Sequence, residues 1–182
     1  GQSGYFQVQT GGITINANVQ AGSAILLRFN HTSGICTING TVTGGSGNFA
    51  HGVQNSNIGT LNITTAIGGS GGTSHGVHNY SGGTLNVTTA IGGSGSTSHG
   101  VNNAHGGTVN VATAIGGSGD RSYGAHNTGG AGKMYVERAI GNEYGYSGTM
   151  SNSVPGVYGS NALLIRTTVE KMESGAYGQT AI

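Results

Sequence analysis

Charge is almost missing from the first two thirds of this chain. From Phe29 to Gly119 there is no Asp, Glu, Lys or Arg; all five acidic residues and five of the six basic ones lie from Asp120 onward. A body without a basic stripe has nothing with which to track phosphates, so no nucleic-acid partner is expected. Catalysis is starved in the same way: no Ser/His/Asp set can be assembled upstream of Asp120. Tryptophan is absent, Pro155 is the only proline and Cys36 the only cysteine. A lone cysteine excludes an intrachain disulfide framework and reads as a small apolar residue inside the fold. The longest apolar run, Ala24–Leu27, is far too short for a bilayer, so no membrane span is expected. The chain starts at Gly1 and not at methionine, from which we expect a processed product or a fragment.

What is present is repetition. Residues 60–131 write one sentence three times: Thr60–Gly83, Thr84–Gly107 and Thr108–Ala131. The first two copies agree at 19 of 24 positions and the second and third at 14, with looser copies at Ile35–Gly59 and Gly11–Gly34. A fixed period of this length is the mark of a solenoid whose coils bury their apolar faces against each other. The 39 glycines fall at fixed offsets between short β-branched runs, which favours order over a disordered glycine-rich tract.

One repeat reads as one coil. In Thr84–Ile91, Thr84, Asn86, Thr88 and Ala90 alternate with Leu85, Val87, Thr89 and Ile91, which predicts a strand with one buried face. Gly92-Gly93-Ser94-Gly95 then turns the chain, a place for glycines with positive φ. A second short strand, Ser98–Ala104, and a turn at Gly106-Gly107 complete the coil. The fold class expected is all-β, a single-chain β-solenoid of about 24-residue, two-strand coils, each adding about 4.8 Å of height. Residues 1–10 read as a lead-in, 11–132 as repeats and 133–182 as modified coils closing the stack. Charges are excluded from the body because a charge repeated on every rung stacks on its like; Thr, Asn and Ser columns hydrogen-bond instead. Tyr5–Gln9 and Ile25–Phe29 carry bulk suited to covering the first rung, and Leu163–Met172 restores a strand-like run near the end. Thr168–Glu173 is the only stretch with helical character.

Several columns invite a chemical reading. His51, His75 and His99, continued by Tyr123, could present imidazoles to a metal, but a linear stack does not converge on one ion, so a ladder at the core edge is expected. Asn55, Asn79, Asn103 and Asn127 are expected to satisfy turn backbone groups. The Gly-Gly-Ser-Gly turns lack the lysine of a phosphate loop and, before Asp120, the aspartate of a calcium-binding repeat. Glu137, Glu143, Glu170 and Glu173 sit among Lys and Arg partners and read as a solvated edge rather than as a glycosidase pair. No catalytic residue, cofactor or metal is assigned. The copies differ mainly at the second strand and its turns, which points to a ligand-contact edge of His78, Tyr80, Asn102, His105, Arg121 and His126 on a constant scaffold. The opposite face carries an outer polar grid of Thr60, Asn62, Thr64, Thr84, Asn86, Thr88, Thr108 and Asn110, expected to be flat; the third copy departs from it at Ala112.

Units of the form GTLNVTTAIGGSGS-x-x-HGV-x-N resemble the Gly/Thr/Asn-rich arrays of bacteriophage tail and adhesin-like structural proteins, and to a lesser degree autotransporter passenger β-helices. The closing segment, from Arg138-Ala-Ile-Gly-Asn through Pro155-Gly-Val-Tyr-Gly to Glu173-Ser-Gly-Ala-Tyr-Gly-Gln, is similar to the ends of such phage arrays. The likeness covers residues 35–182. It implies an extracellular or virion-surface, non-enzymatic role in attachment or as a rigid spacer, and it carries over no catalytic residue. A cell-surface glycan or receptor is then the expected partner, with homo-oligomers or stacking on neighbouring structural subunits also in view. The alternative is a carbohydrate-binding or ice-binding solenoid using the Tyr80/His78 edge or the Thr/Asn grid, whose columns look like the threonine arrays of ice-binding solenoids.

Overall fold

The structure, a computed structural model, describes residues 6–22, 27–119, 121–127 and 132–142, together with the backbone of three later strands. It is a β-solenoid of about five turns and contains no helix among the described residues. Seven short strands form one parallel sheet in chain order: β1 (Phe6–Val8), β4 (Leu27–Phe29), β6 (Val53–Asn55), β8 (Val77–Asn79), β10 (Val101–Asn103), β12 (Ala125–Asn127) and β14 (Val157–Gly159). The other sheet is built from long strands: β5 (Ile35–Thr43), β7 (Thr60–Ile67), β9 (Thr84–Ile91), β11 (Thr108–Ile115), β13 (Lys133–Asn142) and β15 (Ala162–Met172). Two short strands, β2 (Thr14–Ile15) and β3 (Val19–Gln20), pair with β5 at one end of this sheet. At the other end β16 (Tyr177–Ala181) pairs antiparallel with β15, so the repeating parallel order stops there. Thr168–Met172, in the stretch of helical character, lies within β15.

Identical residues stack because the register is held at the repeat length. Thr60, Thr84 and Thr108 are mutual partners, as are Leu61, Leu85 and Val109, and Val77, Val101 and Ala125. The inward columns form one apolar cluster that includes Leu85, Val87, Ala90 and Val101. Cys36 lies inside it, fully buried, with its Sγ 3.5 Å from the Thr10 carbonyl oxygen.

Two details differ from the sequence expectation. First, the alternation along the long strand slips by one residue. Leu85 and Val87 face the core as expected, but Ala90 is buried and Ile91 is only half-buried. Regular pairing skips the column of Thr64, Thr88 and Ala112, and the register shifts at the corresponding place between β5 and β7. Two successive residues, Thr88 and Thr89, lie outside the core, which marks a bend that resets which side points inward. Second, the Gly-Gly-Ser-Gly turns do not use glycine for positive φ. Among the described glycines, that conformation belongs to Gly12, Gly34, Gly106 and Gly107. At Gly92 the reason is space: a Cβ there would collide with the Ser98 carbonyl oxygen and the Gly117 nitrogen. The turn is packed backbone on backbone, within its own rung and against the next.

Candidate functional site

Three columns of polar side chains line the short-strand sheet and its turns, and they are wired rung to rung. Asn55, Asn79, Asn103 and Asn127 form a ladder in which each Nδ2 donates to the next Oδ1 at 2.9, 2.7 and 2.9 Å. Their amides also donate to turn carbonyls, Asn55 to Asn57, Asn79 to Gly106 and Asn127 to Gly132. Asn55, Asn79 and Asn127 therefore act as expected, satisfying turn backbone groups inside the fold, and Asn103 carries the ladder between them. The ladder starts abruptly. Phe29 occupies the preceding position of the column, and the buried Asn55 Oδ1 accepts no hydrogen bond among the described residues.

The imidazole column is a stack. His51 and His75 lie 4.9 Å apart between ring centroids, His75 and His99 4.8 Å, and His99 and Tyr123 5.1 Å. Each ring accepts the backbone N–H of the next rung at Nδ1: His75 to His51, His99 to His75 and Tyr123 to His99, all at 3.0 Å. A ring that accepts at Nδ1 and is neutral carries its proton on Nε2. His51 Nε2 then donates to His78 Nδ1 at 3.1 Å. The Asn102 amide lies 3.1 Å from His75 Nε2 and 3.2 Å from His126 Nδ1. Proton bookkeeping orients that amide with its oxygen on His75 and its nitrogen on His126. Every lone pair on Nδ1 of this stack is committed to backbone, so the column is a structural ladder and not a set of converging ligands.

Burial drives these rings away from charge. It is the main cause that lowers His51 to about 3, and His78 and His126 to about 4, with further lowering of His51 by His78 and of His78 by His105. His75 and His99 are pushed well below the ordinary imidazole value, first by burial and then by neighbouring histidines.

The ligand-contact edge divides. Tyr80 is 50% exposed and meets His105 of the next rung edge-on, with ring centroids 4.5 Å apart; His78 lies behind it at 5.6 Å. These three come together as one aromatic edge. Asn102 and His126 share the His78 column but are half-buried and tied to the imidazole stack. Arg121 is exposed on the turn before β12, at the other end of the short strand from the Tyr80 column. Two further exposed apolar side chains, Phe49 and Ile58, each occur in only one copy, so the repeats carry no signal for them.

The outer polar grid is concave where it was expected to be flat. The bend in each long strand opens an axial groove of about 660 Å³ lined by the same three positions on successive rungs: residues 37–39, 62–64, 86–88, 110–112 and 135–137. Asn62, Asn86 and Asn110 line it, and their amides are linked: Asn110 Nδ2 donates to Asn86 Oδ1 at 2.8 Å, and Asn86 Nδ2 to Asn62 Oδ1 at 2.9 Å. Asn62 reaches Thr37 Oγ1 at 3.4 Å. Thr64 and Thr88 are exposed in the groove wall, while Thr60, Thr84 and Thr108 sit half-buried at the start of each strand and outside it. The floor is aliphatic: Ile63, Val87 and Val111 keep 3, 4 and 3% of their surface exposed. Ile38 and Val136 extend it, and Tyr135 and Glu137 mark its end toward β13. The sequence did carry a signal for this groove, in the paired threonines Thr64-Thr65 and Thr88-Thr89 that interrupt period-two alternation.

No group of three or more metal-ligating side chains occurs among the described residues, and no helix there is long and apolar enough to cross a membrane. Glu137 is exposed; the side chains of Glu143, Glu170 and Glu173 lie outside the described residues. No family model, curated protein or solved structure matches the chain.

Proposed function

We propose that this chain is a non-enzymatic structural or attachment module of a virion or cell surface, a rigid rod that displays its contact residues along one edge. The observation that carries the reading is the pairing of Tyr80 with His105: an exposed aromatic couple, bridging two rungs, on a backbone fixed by ladder bonds. The Tyr80 N–H donates to the Asn55 carbonyl oxygen at 2.8 Å, so the ring is presented at a defined place and loses little freedom on binding. Aromatic faces of this kind stack on sugar rings and on apolar protein surface, which suits a cell-surface glycan or receptor. The repeats vary most at this edge, while the inward columns change little and mainly between apolar residues such as Leu85 and Val109, as expected where a scaffold carries recognition.

The test is a glycan-array and whole-cell binding screen of the intact chain beside a Tyr80→Ala/His105→Ala double variant. His78 is left intact because it takes a hydrogen bond from the buried His51. Binding by the parent that is lost in the variant supports an attachment edge. Binding that survives the double change removes the edge from the account. No binding by either leaves a spacer.

A further inference from the structure

We infer that the axial groove is a second binding site, for a linear, uncharged, extended polysaccharide lying along the solenoid axis. The inference stands apart from the aromatic edge, because the groove is cut into the long-strand sheet and shares no residue with Tyr80, His78 or His105.

The ligand class follows from the lining. A carboxamide offers two N–H donors and two acceptor lone pairs. In the Asn110–Asn86–Asn62 ladder each amide spends one N–H, and Asn62 and Asn86 spend one lone pair, on a neighbour along the stack. What remains at each of these rungs is one N–H and at least one lone pair, a donor–acceptor couple repeated at about 4.8 Å. Below them the nearly buried Ile63, Val87 and Val111 close the floor with a narrow aliphatic strip, and the exposed hydroxyls of Thr64 and Thr88 add further polar contacts.

A chain of sugar rings matches this surface. Each ring presents apolar C–H faces flanked by hydroxyls that both donate and accept, once per residue. An extended peptide matches less well, because its outward groups on one side recur every two residues, about 6.7 Å, out of step with the rungs. A polyanion finds no cation among the lining residues and meets Glu137 at one end. A flat ice plane cannot follow a concave floor. The lining spans five rungs, or about 19 Å, so each added sugar finds a new rung up to about five units.

The experiment is calorimetric titration of the intact chain with cellohexaose, chitohexaose and β-1,4-mannohexaose, with maltohexaose as the curved counterpart. At least one of the three extended oligosaccharides is expected to bind, with affinity rising with length up to about five sugars, and maltohexaose at least tenfold more weakly. Thr88→Lys, which puts a long cation into the middle of the groove from an exposed position, should weaken binding at least tenfold. Asn86→Leu, which keeps bulk but removes the donor–acceptor couple, should do the same. Both variants are compared at unchanged thermal midpoint, and the Tyr80→Ala/His105→Ala protein should bind the oligosaccharide as the parent does. The inference is overturned if none of the extended oligosaccharides binds, or if folded Thr88→Lys and Asn86→Leu both bind like the parent. It is also overturned if the groove variants abolish self-association or thermal hysteresis while leaving sugar binding alone.

Discussion

A stacked histidine whose Nδ1 accepts a backbone N–H is bound into the fold by its neutral form. Protonating His75 at Nδ1 would break the bond from the His99 N–H and place a cation in a stack of rings. His75→Phe keeps the ring stack but leaves the buried His99 N–H without its acceptor and takes the Nε2 partner from Asn102. The cost should be about 1–3 kcal/mol, read from urea unfolding at neutral pH. A change below a few tenths of a kcal/mol would show that these ring hydrogen bonds add nothing. The same chemistry sets the response to acid. His51, His75, His78, His99 and His126 all have folded values below the ordinary imidazole value of 6.5. Below about pH 6.5 the unfolded chain therefore binds more protons than the folded one. Stability is fully present above that value and is lost as pH falls toward about 4, where His78 and His126 begin to charge in the folded state. Each ring removes about 1.4 kcal/mol per pH unit in that window, so five together should produce a steep acid transition. The urea midpoint is expected to be level above about pH 7 and to fall sharply below about pH 6; a midpoint unchanged down to about pH 4.5 would contradict the buried-neutral description.

At the scale of the strand and turn, glycine does two different jobs that the letters do not distinguish. Gly92 has no room for a side chain: a Cβ would strike the Ser98 carbonyl oxygen and the Gly117 nitrogen of the next rung. Gly106 has open space around it but a φ of 98°. Gly106→Ala should therefore cost only the backbone strain, about 1–2 kcal/mol. Gly92→Ala must push two rungs apart and should cost more, about 3 kcal/mol or above, with loss of the cooperative transition in the worst case. Thermal unfolding of the two variants side by side checks the order, and equal losses would mean the turn can open at little cost. This difference also marks how far the sequence could be read. The repeat length, the parallel stacking, the inward Leu85 and Val87 and the asparagine ladder were all legible, because each follows from periodicity and from the need to pair buried polar groups. The bend at Thr88 was not, because alternation was carried through the paired threonines to Ile91, whereas the strand resets there and buries Ala90. The groove was missed for the same reason. Its wall residues Asn62, Asn86 and Thr88 were legible as outward positions, but its floor of Ile63, Val87 and Val111 belongs to the buried phase and borders the groove with only 3–4% of its surface exposed.

The whole molecule behaves as a sum of rungs and the interfaces between them, and that makes its length adjustable. Deleting Thr84–Gly107 joins Gly83 to Thr108 and removes one copy without disturbing any column. His75 then meets Tyr123, Asn79 meets Asn127 and Ser74 meets Ser122, each in the pairing that the removed copy already made on one side. The shortened chain should fold with a lower thermal midpoint but the same cooperative character, and should lose about 4.8 Å of length in small-angle scattering. Deleting half as many residues, Thr84–Gly95, would set long-strand residues against short-strand residues and should leave the protein unfolded. The one-copy deletion also reaches function. It removes Asn86, Val87 and Thr88 from the groove but leaves its ends, so the lining falls from five rungs to four. If sugars lie one per rung, the oligosaccharide length at which affinity stops rising should shorten by one unit, while contacts made by Tyr80 lose only their His105 neighbour. Duplicating Thr84–Gly107 should lengthen the plateau by one unit. A plateau that ignores the number of rungs would mean that the sugar contacts a single local spot, and the rod would then be a spacer that carries a site instead of being one.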